Sequence, residues 1–190
     1  MSKEFDPQIL SKAVQEVVCD AFSRVCRAQP GEEPVVFERD IIESDGRMRL
    51  APMQRFNTTA YAAVVNFFLN AQDQKKNYPV GTLAFFVRED MVERFLKAQK
   101  VTFKDDDEEM IKEKVGDFAG VLAGELKNRL ASQGYAEVLL SAPENHKNTI
   151  PDGIPFNYDL YKKTEILFQF WKQKCVVVEI CMGQLPRRGA

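Results

Sequence analysis

Two apolar stretches lying close together constrain this chain more than any other feature: TAYAAVVNFFL, residues 59–69, and VGTLAFFV, residues 80–87. Both are rich in β-branched and aromatic residues and neither carries a charge, which is the composition of strands buried in a sheet. The segment between them, NAQDQKKNYP at 70–79, is polar and ends in Pro79, so the two runs are predicted to be neighbouring core strands. Neither approaches the roughly 18 apolar residues needed to cross a bilayer, so no membrane association is expected. The opening MSKEFDPQIL lacks the basic and apolar regions of a signal peptide, and a cytoplasmic location is expected.

Helical patterns flank this pair. Between Asp6 and Arg27, apolar residues from Ile9 through Phe22 to Val25 recur at intervals of three and four, with Asp6 placed as N-cap and Pro7 at the first helical position. AQPGEEP then breaks the helix. VVFERDII (35–42) and RMRLAPMQRF (47–56) alternate as strands around the turn signal SDG. REDMVERFLKAQK (88–100) has helical periodicity through Met91, Val92, Phe95 and Leu96 and leads into the acidic run DDDEE at 105–109. Metal cages need ligands converging from several directions, so these acids are read instead as opposing the positive end of the next helix dipole. That helix runs toward Leu130 and ends near Gly134. AEVLLSAP (136–143) reads as a strand and ENHKNTIPDGIP (144–155) as a loop, with PDGIPF a turn into the next strand. FNYDLYKKTEILFQFW (156–171) and KCVVVEICM (174–182) read as two long strands, and GQLPRRGA (183–190) as a flexible tail. With 190 residues the order implies one α+β domain over 1–190, ordered from about residue 6 to 183, its long helices packed on an antiparallel or mixed sheet.

Composition removes several functions. A formal net charge of −2 with dispersed Lys and Arg offers no basic stripe for nucleic acid. Cys19 with Cys26, and Cys175 with Cys181, have neither zinc nor redox spacing and are expected to be reduced core thiols. His146, the one histidine, lies among loop-forming residues and is expected at the surface, which argues against a histidine-centred triad or multi-histidine metal site. No GxGxxG, GxxxxGK[ST], GxSxG or HExxH occurs, and no cofactor or metal of the protein's own is expected.

The stretch VGDFAGVLAGELKNRL, 115–130, is unusual. Gly120 and Gly124 each weaken a helix by about 1 kcal/mol relative to alanine. At about 100° per residue, Asp117, Gly120, Gly124 and Asn128 fall on one face, while Phe118, Leu122 and Leu126 point elsewhere. Such a stripe admits close approach by another backbone or side chain. Sequence physics by itself favours glycines that relieve crowding against a strand of the same domain.

DFAGVLAGELKNRL resembles the signature helix of the CheC/CheX/FliY family of chemotaxis phosphatases, which carries Glu-x-x-Asn followed four residues later by Gly. The N-terminal amphipathic helix, the strands ending in GTLAFFV, the acidic lead-in and the closing pair ILFQFW and VVVEICM resemble CheX in order and length. CheX is closer than CheC because one such helix is visible. The resemblance implies action on the aspartyl phosphate of a CheY-like receiver domain of a response regulator. The motif glutamate contacts a receiver lysine, the asparagine amide orients the attacking water, and Mg²⁺ is supplied by the receiver. It also implies a homodimer joined at sheet edges. This chain departs from the pattern at both catalytic positions. Asp117 stands in place of the glutamate and Gly120 in place of the asparagine; Gly124 matches. Asn128 shares the stripe but lies about 12 Å farther along the helix axis than Gly120. Three readings remain open: a CheX-like phosphatase using Asp117 with Asn128 or a backbone group, a docking protein that has lost the activity, and a scaffold whose glycine stripe packs internally.

Overall fold

The computed structural model describes residues 5–50, 56, 58–102, 107–148 and 153–189. The elements run α1 (Pro7–Cys26), β1 (Val35–Asp40), β2 (Glu43–Ser44), β3 (Arg47–Met48), β4 (Ala60–Phe68), α2 (Ala71–Lys75), β5 (Gly81–Arg88), α3 (Glu89–Ala98), α4 (Glu108–Ser132), β6 (Leu139–Leu140), β7 (Glu144–Lys147), β8 (Lys162–Phe170) and β9 (Gln173–Met182). This is an α+β fold. The main sheet has the order β1-β8-β9-β5-β4-β6, with β7 also on β4, and its ladders are antiparallel.

The two apolar runs are the paired strands β4 and β5, in register from Ala60 opposite Arg88 to Phe67 opposite Gly81. Every residue of β4 is buried because both faces of the sheet are covered. On one face Tyr61, Ala63, Val65 and Phe67 meet α1, α3 and α4; on the other Ala62 and Val64 meet Met48, Ile154, Phe156 and Leu160 from the connecting segments. Asn66 is tolerated on that second face because its Oδ1 accepts from the Thr82 hydroxyl at 2.8 Å.

α1 begins where the sequence places it: Asp6 Oδ1 accepts from the Gln8 amide at 2.9 Å, with Pro7 in the first turn. Aromatic rings hold the helical layer together. Phe22 of α1 stacks on Phe170 of β8 at 3.9 Å, and Phe118 of α4 lies 5.1 Å from Phe22, 5.0 Å from Phe95 of α3 and 5.4 Å from Phe85 of β5.

Several expectations are corrected. The 47–56 strand shrinks to Arg47–Met48, with 51–55 outside the described residues, and the 136–143 strand shrinks to Leu139–Leu140. NAQDQKKNYP contains the short helix α2, capped by Asn70, whose Oδ1 accepts from the Gln72 and Asp73 amides. The segment read as the loop 144–155 begins with strand β7, Glu144–Lys147 opposite Val64–Tyr61; residues 149–152 lie outside the described set. Glu-Asn-His-Lys has no strand propensity, and only the free edge of β4 beside it makes it a strand. The tail expected to be flexible is tied down. Leu185 is buried, the Arg188 amide donates to the Gly134 carbonyl at 2.9 Å, the Ala136 amide donates to the Pro186 carbonyl at 2.8 Å, and the Arg187 guanidinium lies over the Tyr135 ring.

Candidate functional site

α4 is the longest helix, 25 residues, and its orientation is set from inside. Val115, Phe118, Leu122, Leu126 and Leu130 are buried in the helical-side core. With these fixed inward, the opposite face is fixed outward: Asp117, Val121 and Asn128 are exposed. Its start is built as expected. Asp107 Oδ1 accepts from the Met110 amide at 3.1 Å, and Glu108 and Glu109 occupy the first turn. The acids are taken up by lysines. Glu108 meets Lys147 at 2.9 Å and Lys112 at 3.5 Å, and the hydrogen bond from Lys147 holds the Glu108 carboxyl below the usual range. Asp105 and Asp106 lie outside the described residues, and among those described no three His, Cys, Asp or Glu side chains converge as a metal site.

The glycines of the stripe are open. An added Cβ at Gly124 would meet nothing within 4 Å, and one at Gly120 would meet Pro143 Cγ at 3.5 Å, an ordinary contact. Internal packing of the stripe is therefore overturned at Gly124 among the described residues. The crowding argument belongs instead to Gly116, where an added Cβ would fall 2.1 Å from Asn145 Oδ1 of β7. Sequence reading missed Gly116. Its signal was present, because Gly116 falls with Ala119, Ala123 and Val115 on the buried side of the same helical wheel.

Asp117 is not a bare carboxylate. Lys114 Nζ donates to Asp117 Oδ2 at 2.7 Å, and this hydrogen bond raises the Lys114 pKa. Beyond Gly124 a second Glu-x-x-Asn spacing occurs, Glu125-Leu126-Lys127-Asn128. The structure brings both to one groove: Glu125 pairs with Arg24 of α1, and Glu125 and the exposed Asn128 line a shallow groove together with Asp20 and Arg129. Asp117, Gly120, Gly124 and Asn128 thus share one face of one helix, with Asp117 and Asn128 exposed and the two glycines half-buried between them. Such a face can receive a partner but presents no side chain at Gly120 to orient a water.

The remaining sites are quiet. Cys26, Cys175 and Cys181 are buried cysteines outside any disulfide and Cys19 is a half-buried one; burial pushes Cys26 up to about 12 and Cys175 up to about 11. His146, expected at the surface, is half-buried on β7 with a shielded Nε2 that finds no hydrogen-bond partner among the described residues, and burial lowers its pKa. No helix among the described residues is long and apolar enough to cross a membrane.

No known family profile matches the sequence, and no curated protein matches it significantly. Solved structures do match in fold. The chain superposes on a CheC-like superfamily protein from Shewanella sp. PV-4 with a TM-score of 0.57 and 14% identity, over 92% of this chain and 97% of that one. Chemotaxis protein CheX from Vibrio vulnificus gives 0.58 and 12%, over 91% and 98%. A chain of the CheX-CheY-BeF3-Mg²⁺ complex from Borrelia burgdorferi gives 0.56 and 10%, over 92% and 98%. At these identities the likeness is one of fold: the protein has the α+β architecture of CheC-like and CheX proteins.

Proposed function

We propose that this CheX-like chain acts in chemotaxis or two-component signalling by docking the exposed face of α4 on a phosphorylated receiver domain, with phosphatase activity weak or lost. The observation that carries the proposal is the open space over Gly124. A glycine inside a helix costs about 1 kcal/mol, and among the described residues nothing uses the room it makes, which supports a role toward something outside. The complex of a CheX with CheY and Mg²⁺ among proteins of this fold suggests the class of partner. In this reading Mg²⁺ belongs to the receiver. Catalysis is weak because phosphoryl transfer depends on positioning, and Gly120 has no amide with which to hold a water. A cytoplasmic homodimer joined at a sheet edge fits the same reading. β1 is an edge strand with Val35 and Val36 exposed, a surface that a second copy would cover.

Phosphate release tests the activity. Receiver domains of the source organism, phosphorylated with a small-molecule donor and Mg²⁺, are followed with wild type, Gly120→Asn and Asp117→Ala. The 3.5 Å clearance to Pro143 leaves room for an asparagine Cβ. Little acceleration by the wild type and at least a tenfold gain with Gly120→Asn is expected, since general positioning effects reach that size. Strong acceleration by the wild type that survives Asp117→Ala would contradict the proposal.

A further inference from the structure

β7 owes its pairing to its neighbours. Its four residues, Glu144–Lys147, have no strand propensity, yet they pair with β4 from Val64 to Tyr61, and the Asn148 amide extends the ladder by donating to the Ala60 carbonyl at 2.8 Å. Side chains on the helical side hold the strand down. Asn145 lies against Gly116 of α4, and Lys147 Nζ reaches Glu89 of α3 at 3.0 Å and Glu108 of α4 at 2.9 Å while lying over the Tyr61 ring. The other side holds it less well. His146 Nε2 and, two residues on, Asn148 Oδ1 are both shielded from solvent and find no hydrogen-bond partner among the described residues, which weakens the strand where it ends.

We infer that β7 is a pH-sensitive latch, released from β4 and α4 when the His146 imidazole takes up its second ring proton. The neutral ring carries one N–H and can leave Nε2 bare. The imidazolium carries two, so an N–H must then sit at Nε2, shielded and with no acceptor among the described residues. The surroundings do not relieve this. Burial, the largest influence, opposes the proton; Glu144 on β7 favours it and Lys112 of α4 opposes it. The other charged groups at the strand, Lys147, Glu89 and Glu108, are engaged with one another, Tyr61 lies under Lys147, and β4 sets uncharged Ala62 opposite the ring. Opening the strand carries the imidazole to water, where it titrates near its ordinary value of about 6.5. Proton uptake therefore favours the open form by up to about tenfold per pH unit below that value, until the closed form charges as well. Release frees the β4 edge from Tyr61 to Val64, a row of backbone groups open to another strand.

His146 is the chain's one histidine, so its imidazole can be followed without ambiguity in the whole protein. The test is amide hydrogen exchange of residues 144–148, corrected for its intrinsic pH dependence, together with the NMR titration of that ring, in wild type and His146→Gln from about pH 8 to about pH 5. In the wild type, β7 amides are expected to be less protected than those of β9 at every pH and to lose about a further tenfold between about pH 6.5 and 5, while the ring titrates below 6.5. His146→Gln is expected to remove the acid loss. Should that variant not fold, the wild type decides alone, through whether β7 loses protection as the ring takes up its proton. Protection that does not change with pH, a ring that titrates at or above about 6.5, or β7 amides that exchange only together with those of β9 overturns the inference, and so does an acid loss that persists in His146→Gln.

Discussion

At the scale of single residues, Gly124 and His146 carry the most information. Among the described residues, an added Cβ at Gly124 would meet nothing within 4 Å. Gly124→Ala is therefore expected to stabilise the fold by about 1 kcal/mol in denaturant unfolding, the ordinary helix gain, while weakening partner binding. A loss of stability would show that the position is filled internally. His146 behaves in the opposite sense to a salt-bridged histidine. Burial lowers its pKa below the ordinary 6.5, so the unfolded chain binds the proton more readily than the folded one. Its contribution is nil well above pH 6.5, becomes a cost as the pH falls through that value, and levels off below the folded pKa. Urea unfolding at a series of pH values should show wild type losing stability below pH 6.5 more steeply than His146→Gln; parallel curves would contradict the assignment. The stripe itself was legible in the sequence, because helical periodicity suffices to place Asp117, Gly120, Gly124 and Asn128 together. The Lys114 pair was not, because an i,i+3 contact depends on rotamers that a wheel does not specify.

At the scale of elements, the contact between α4 and β7 is the one that sequence reading could not reach. Asn145 sits where a Cβ of Gly116 would be, so helix and strand approach through a glycine and a carboxamide. Gly116→Ala alone should change stability little, since the helix gain is offset by expelling Asn145. In an Asn145→Ala background the same change should stabilise by about 1 kcal/mol. Equal effects in the two backgrounds would show that the two residues do not share this space. Elements with strong periodicity, α1, α4, β4, β5 and β9, were readable because their own burial determines them, whereas the strand expected over 156–171 begins only at Lys162, as β8. β7, α2 and the tail were not. β7 is held by its register with β4, α2 by the Asn70 cap, and Arg187 by its stacking on Tyr135, partners that are distant in sequence or too local for periodicity to register.

At the scale of the whole molecule, the sheet buries its central strands on both faces, and the outer face of α4 and the β1 edge are among the surfaces left exposed. The fold is that of proteins which include a CheX in complex with CheY, and in the proposed reading Asp117 and Gly120 stand at the positions of the motif glutamate and asparagine. Docking without efficient hydrolysis is the function proposed above on this basis. The most direct test is titration of beryllofluoride-activated receiver domains, with Mg²⁺, against wild type and Gly124→Arg, a change for which the open helix face leaves room. The account predicts that the wild type binds the activated form in preference to the unactivated one, and that Gly124→Arg stays folded but loses at least tenfold in affinity. Equal binding by both chains, or no binding of any receiver by the wild type, would contradict it.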